Sequence, residues 1–202
     1  MNKFSRKMGI AVCLSFALLI PGCGGKTKVA RVHSDSDIEL SGRWNDGDSR
    51  RVADEMIMDA LSRPWLNAWT ERQPNVIMGR VVNRSHEHIN VETFTRNIER
   101  ALLNSGKVNF VAGQAARDMV RAEREDQQGE HTSFESRADM GQEIGADLMM
   151  TGAINAIVDR EGKRSVIFYQ VTMELINVQT NAKVWIGEKQ IKKYVERATA
   201  KL

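Results

Sequence analysis

The chain has 202 residues, with 29 basic and 26 acidic side chains, a formal net charge of +3, 42% apolar residues and 27% charged ones. These are globular proportions, and they exclude both wholesale disorder and a multi-span membrane protein. The meaning of the positive charge depends on where in the chain it lies.

Lys3, Arg6 and Lys7 precede an apolar run over residues 8–20, interrupted only by Gly9 and Ser15 and followed by Pro21, Gly22 and Cys23. A basic start, a short apolar stretch and a small-residue exit read as an export signal over residues 1–22, and the run is too short for a membrane span. Ile20, Pro21, Gly22 and Cys23 resemble the bacterial lipobox, which implies cleavage before Cys23 and acylation of that residue. Two or three acyl chains on one residue anchor stably, whereas a single chain binds marginally. Gly24, rather than Asp, follows Cys23, which fits outer-membrane retention by the enterobacterial sorting rule. Removal of residues 1–22 takes away three positive charges and Cys13, leaving 180 residues with 26 charges of each sign and Cys23 as the single thiol. The mature chain is then neutral, which removes the argument for nucleic acid as a partner. Its fold has no disulfide, so the apolar core must suffice.

Residues 23–48 are polar and short of aliphatics, and they read as a flexible tether with Trp44 near its docking end. Twenty-odd extended residues reach at most about 70 Å. The globular domain is expected over residues 49–202. A first helix is expected from Asp48 or Ser49, with Val52, Met56, Ile57, Ala60 and Leu61 inward and Pro64 ending the run. Trp65, Leu66 and Trp69 predict a short helix over an open end of the core. Residues 75–82 read as a buried strand and residues 83–88 as a loop. Asn90 can cap a second helix over residues 91–105, with Phe94, Ile98, Ala101 and Leu102 inward and Gly106 in a left-handed conformation past its end. A short strand at residues 108–111 is followed by a helix over residues 114–123 with Met119 inward, then a charged loop to His131. Thr132 and Glu135 form a capping-box pattern that predicts a further helix carrying Ala138, Met140 and Ile144 and stopping at Gly145. Residues 148–158 are apolar on both faces, as in a central strand. Residues 166–178 alternate, placing Ile167, Tyr169, Val171, Met173 and Leu175 on one face. A last strand covers residues 183–194, and Asn181 is the expected positive-φ residue of the turn before it. The fold class is α/β (α+β): one domain with a mixed, mostly antiparallel sheet of four to five strands flanked by helices.

No catalytic constellation emerges. There is no G-x-S-x-G, no glycine-rich phosphate loop and no HExxH. His86 and His88 could share one side of an extended segment, but a third metal ligand is not evident. Asp118, Glu123, Glu125 and Asp126 could supply a carboxylate pair for glycoside cleavage. They are interleaved with Arg117, Arg121 and Arg124, the pattern of a salt-bridged, solvated face. No cofactor, metal or small-molecule substrate is implied.

Several segments carry a resemblance. They are Trp44-Asn45; Val82-Asn83-Arg84-Ser85; Ala101-Leu102-Leu103-Asn104-Ser105-Gly106-Lys107 leading to Phe110-Val111; Ser136-Arg137-Ala138; Gly145-Ala146-Asp147; and Val178-Gln179-Thr180 ahead of Trp185. In these, from Trp44 onward, the chain resembles the LpoB-type activators of penicillin-binding proteins. That resemblance implies a non-enzymatic outer-membrane lipoprotein, lipid-anchored at the periplasmic face, which binds and stimulates a class A penicillin-binding protein and so regulates peptidoglycan synthesis. It implies partner contacts at Asn83, Arg84, Ser85 and Arg137, with Cys23 as the lipid attachment. Enterobacterial members carry a long Pro-rich tether; the three prolines here are Pro21, Pro64 and Pro74, and none lies in the mature linker. A second reading is a structural or secretion-apparatus envelope lipoprotein related to the curli-channel lipoproteins. An envelope enzyme is a third.

Overall fold

The computed structural model describes residues 28–36 and 38–197. The chain divides into two compact units, residues 1–34 and residues 35–202. In the first, the described residues 28–34 hold neither helix nor strand. The expected signal, residues 1–22, and the expected lipid site, Cys23, lie outside the described residues. Among those described, no helix is long and apolar enough to cross a membrane.

The second unit runs α1 (Asp46–Leu61), a 3-10 turn (Pro64–Ala68), β1 (Asn75–Arg84), α2 (Val91–Asn104), β2 (Asn109–Phe110), α3 (Gln114–Gln127), β3 (Leu148–Glu161), β4 (Arg164–Asn177) and β5 (Lys183–Glu196). The five strands form one sheet in the order β2-β1-β3-β4-β5. β1 is parallel to both its neighbours, whereas β3, β4 and β5 form a long antiparallel meander. The sheet is therefore mixed, and most of its register pairs are antiparallel, as expected.

One face of the sheet is dry. The alternation in β4 buries Ile167, Tyr169, Val171, Met173 and Leu175, and β3 adds Leu148, Met150 and Ile154 to the same layer. α1 and α2 cover that face with Val52, Ala53, Met56, Ile57, Ala60, Phe94, Ile98 and Leu102. Trp65 closes one end, its indole N–H donating 2.7 Å to the Ala60 carbonyl. Close approach of β3 and β4 depends on Gly152, where an added Cβ would meet the Met173 sulfur and the Thr172 carbonyl. Gly106 at φ 64° and Asn181 at φ 60° are left-handed, as expected.

The sequence reading departs from the structure at both ends of the helical set. α1 begins at Asp46, two residues before the earlier expected start. Asn45 is the cap, and a capping box joins its side chain to the Asp48 amide and the Asp48 carboxylate to its own amide. The helix expected after Thr132 does not form; residues 128–147 are turns and irregular chain. Three features prevent it. The Ser133 carbonyl accepts from Ser136 and Arg137 for a single turn only. The Gln127 and Gln128 side chains bind the Ala138 N–H and carbonyl and hold that residue's backbone groups outside any helix. Gly141 then takes φ 76°. α3 instead absorbs the charged segment as far as Gln127, aided by a Gln127–Glu123 hydrogen bond of 2.9 Å. Met119 is not inward: it is 70% exposed, and no residue of α3 is buried. The helix lies outside the layer made by α1 and α2, so its apolar side chains have no core to enter.

Candidate docking site

β1 ends in register with β3, Asn83 opposite Ile154 and Arg84 opposite Asn155. The chain then turns sharply, and the side chains of that turn bind one another. Asn83 Oδ1 accepts from the Ser85 N–H (2.9 Å) and hydroxyl (2.7 Å), while Asn83 Nδ2 donates to the Glu87 carbonyl at 2.7 Å. Asn83 and Ser85 are thus used inside the loop. Arg84 is exposed, and among the described residues no carboxylate lies within ion-pair distance of it. It borders a hollow of about 320 Å³ on the sheet face opposite the helices, beside Thr151, Asn155, Thr172 and Glu174. Glu174 is engaged by Lys183 at 2.8 Å. Ile157, Ile186 and Tyr194 are exposed further along the strands. Arg137, the fourth predicted contact, is in the irregular segment after α3, its guanidinium 4.3 Å from the centre of the Phe134 ring. No hydrogen bond or ion pair among the described residues joins it to the Arg84 turn.

The same turn fixes a second arrangement that sequence reasoning missed. Glu87 Oε1 accepts from the Tyr169 hydroxyl at 2.8 Å, and Glu87 Oε2 accepts from the Trp44 N–H at 3.0 Å. The Trp44 ring stands edge-on to Tyr169 and Phe94, at 5.5 and 6.3 Å, and its indole N–H donates 2.7 Å to the Ser49 hydroxyl. Burial, and then the Glu87 carboxylate beside it, raise the Tyr169 hydroxyl pKa well above its ordinary value. Nearby, Lys193 Nζ lies 2.6 Å from Asp48 Oδ2, 3.0 Å from Glu39 Oε2 and 3.2 Å from the Arg43 carbonyl. The segment from Glu39 to Trp44 is therefore fastened to β5, to β4 and to the loop after β1. One signal for this was available: Tyr169 is the single polar residue in the inward register from Ile167 to Leu175, and it calls for a buried acceptor.

Among the described residues no group of three or more His, Cys, Asp or Glu side chains converges to hold a metal. His86 and His88 are both exposed. The Arg84 turn and the hollow beside Thr151 and Glu174 thus adjoin on the sheet face away from the helices.

A family model described as peptidoglycan-synthase activator LpoB matches residues 48–191, which span every helix and strand from the first turn of α1 into β5. The chain belongs to the LpoB family. Among solved structures, the LpoB C-terminal domain from Salmonella enterica is similar at 16% identity, covering 72% of this chain and 99% of that one, with a TM-score of 0.42. The LpoB C-terminal domain from Escherichia coli is similar at the same identity and coverages, with a TM-score of 0.44. The lipoprotein GNA1162 from Neisseria meningitidis is similar at 14% identity over 63% of this chain and 88% of that one, with a TM-score of 0.38. No curated protein matches the sequence. As an LpoB family member, the chain has the general role of a peptidoglycan-synthase activator.

Proposed function

We propose that the mature protein is a lipid-anchored, non-enzymatic activator that docks on a periplasmic domain of a class A penicillin-binding protein. The observation that carries this reading is the family match over residues 48–191. The export signal over residues 1–22 and the lipobox cysteine, Cys23, supply the anchor, on the periplasmic face of the outer membrane. The chain ahead of Glu39 supplies the tether, shorter than the 23–48 expected from the sequence because Glu39–Trp44 and the first turn of α1 are part of the fold, and the chain from Glu39 onward supplies the binding domain. Arg84 is the central contact, because Asn83 and Ser85 hold it outward without a carboxylate partner. Arg137 makes a separate contact.

Activation by such a domain is a population shift: it binds the active synthase conformation more tightly than the resting one. A coupling of about 1–3 kcal/mol shifts the ratio of active to resting synthase about 5- to 150-fold. The test is glycan-chain synthesis by the cell's own class A synthase, with and without the mature protein. Stimulation is expected for the wild type. Arg84→Glu is expected to weaken binding at least tenfold while leaving thermal stability unchanged. Failure of the wild-type protein to bind or accelerate the synthase overturns the reading. Catalysis of peptidoglycan cleavage or synthesis by the isolated protein overturns its non-enzymatic part.

A further inference from the structure

A second surface lies at the β2 edge of the sheet, away from Arg84 and from the hollow beside Thr151 and Glu174. Among the described residues β2 has β1 on one side and no strand on the other. The Asn109 amide donates to the Pro74 carbonyl at 3.0 Å and the Val111 amide to the Val76 carbonyl at 2.8 Å. Strand alternation therefore turns the N–H and C=O of Phe110 toward the open side. The paired edge is only two residues long, but the outward N–H and C=O of Phe110 give an added strand one point of register.

Both flanks of the edge are hollow. On one side a depression of about 650 Å³ lies between β2 and α2, and on the other a depression of about 300 Å³ lies between β2, α3 and Ile144. The two share Phe110, Val111 and Ala112, so they meet along the strand. Both are positively biased. Arg96 is paired with Glu99, and Arg121 and Arg124 are paired with Glu143. Arg100, in the larger hollow, reaches among the described residues only the Asn97 side-chain oxygen, at 3.3 Å. Arg117, in the smaller, feels the charge of Glu143 in the same hollow, but among the described residues no carboxylate comes within ion-pair distance of it, and its Nε is buried without a hydrogen-bond partner. α3 opens at Gly113 with no side-chain cap, so its first-turn amides add positive potential to the larger hollow. Val120 and Ile144 leave apolar surface exposed beside Arg117.

We propose that the β2 edge receives an extended peptide segment of a partner protein, added as a further strand, with aliphatic side chains in the hollows and carboxylates on Arg100 and Arg117. Backbone pairing to Phe110 sets the register, and the alternate side chains of the added strand reach the two flanks. The two unpaired guanidinium groups select acidic over basic segments. The inference is independent of the Arg84 surface, so either can fail while the other stands.

The test uses the mature chain and the acetylated, amidated peptide Val-Glu-Glu-Val-Val, compared with Val-Lys-Lys-Val-Val. Saturable binding of the acidic peptide alone is expected, with amide shifts centred on Phe110 and Ala112. Arg117→Gln and Arg100→Gln are each expected to weaken it about tenfold, the scale of one charge-assisted hydrogen bond. Methylating alternate backbone nitrogens of the peptide is expected to abolish binding in one of the two registers and spare the other, with the protein itself unaltered. No saturable binding, equal response to the lysine peptide, insensitivity to both methylation patterns, or shifts centred on Thr151 and Glu174 would each overturn the proposal.

Discussion

Lys193→Met tests how the entry segment is fastened. The Lys193 side chain is 10% exposed and that of its partner Asp48 is 1% exposed, at 2.6 Å. Two unit charges at that separation attract by about 6 kcal/mol at an effective dielectric of about 20. Desolvation offsets much of that, but removing one partner leaves the other charge buried and uncompensated, which costs about 3–5 kcal/mol. Asp48 would keep only its capping contacts with Asn45, and Glu39 and the Arg43 carbonyl would lose their donor. A domain of this size should lose about 10 °C in Tm. Asp48→Asn removes the charge, keeps an oxygen for the Asn45 amide, and leaves Lys193 with the half-exposed Glu39, so it should cost about 1–2 kcal/mol. The double variant should be more stable than Lys193→Met alone. Urea unfolding of all four proteins, with constant m-values, gives the coupling energy of the cycle. A Lys193→Met change below about 1 kcal/mol, or strictly additive single effects, would refute the argument.

Three further outcomes are expected. Arg72 holds the Asp147 carboxylate with two hydrogen bonds of 2.7 Å, and the Asn75 amide donates to it at 2.8 Å, so the Asp147 pKa is lowered, chiefly by Arg72. A depressed carboxyl stabilises the fold above its unfolded pKa of about 4 and loses that contribution as pH falls through its folded value. Asp147→Asn should flatten that part of an acid-unfolding curve followed by circular dichroism. Gly152→Ala should cost at least about 2 kcal/mol, since its Cβ would press on the Thr172 carbonyl as well as the flexible Met173, and chemical denaturation measures it. Ile154→Ala, at a fully buried position in β3, should cost about 2–5 kcal/mol in the same assay without moving any strand register seen by amide exchange.

The meander was legible because its physics is local. Alternation from Ile167 to Leu175 can be satisfied only by a strand with one dry face, and the turn at Asn181 accepts a left-handed residue. α2 was equally plain, with the Asn90 side chain accepting from the Thr93 amide, and Phe94, Ile98 and Leu102 at helical spacing. The segment after α3 was not legible. Its capping-box pattern carried a real local preference, but no apolar layer lies over it, and helix nucleation without packing is unfavourable. The same lack of a cover misplaced Met119. At the candidate site the sequence pointed to a run of three residues. Their separate roles, two spent in the turn and one left outward, depend on which atoms Asn83 and Ser85 meet after folding. The Trp44–Glu87–Tyr169 and Asp48–Lys193 contacts join residues as much as 145 positions apart, and no periodicity reports such pairs.

The way Glu39 and Trp44 are held also settles how the domain takes a pull. Tension on the chain ahead of Glu39 does not reach α1 directly. It meets Lys193 of β5 first, then the Tyr169 hydroxyl of β4, which donates to the Gly42 carbonyl, and the Glu87 carboxylate of the loop after β1, which accepts from the Trp44 N–H. A tug is thus shared among separate parts of the fold before the Asn45 cap is loaded. The helix that covers the core cannot be unwound from its first turn until those contacts have broken, so the domain can hang from its N-terminal lead and keep its binding faces in shape.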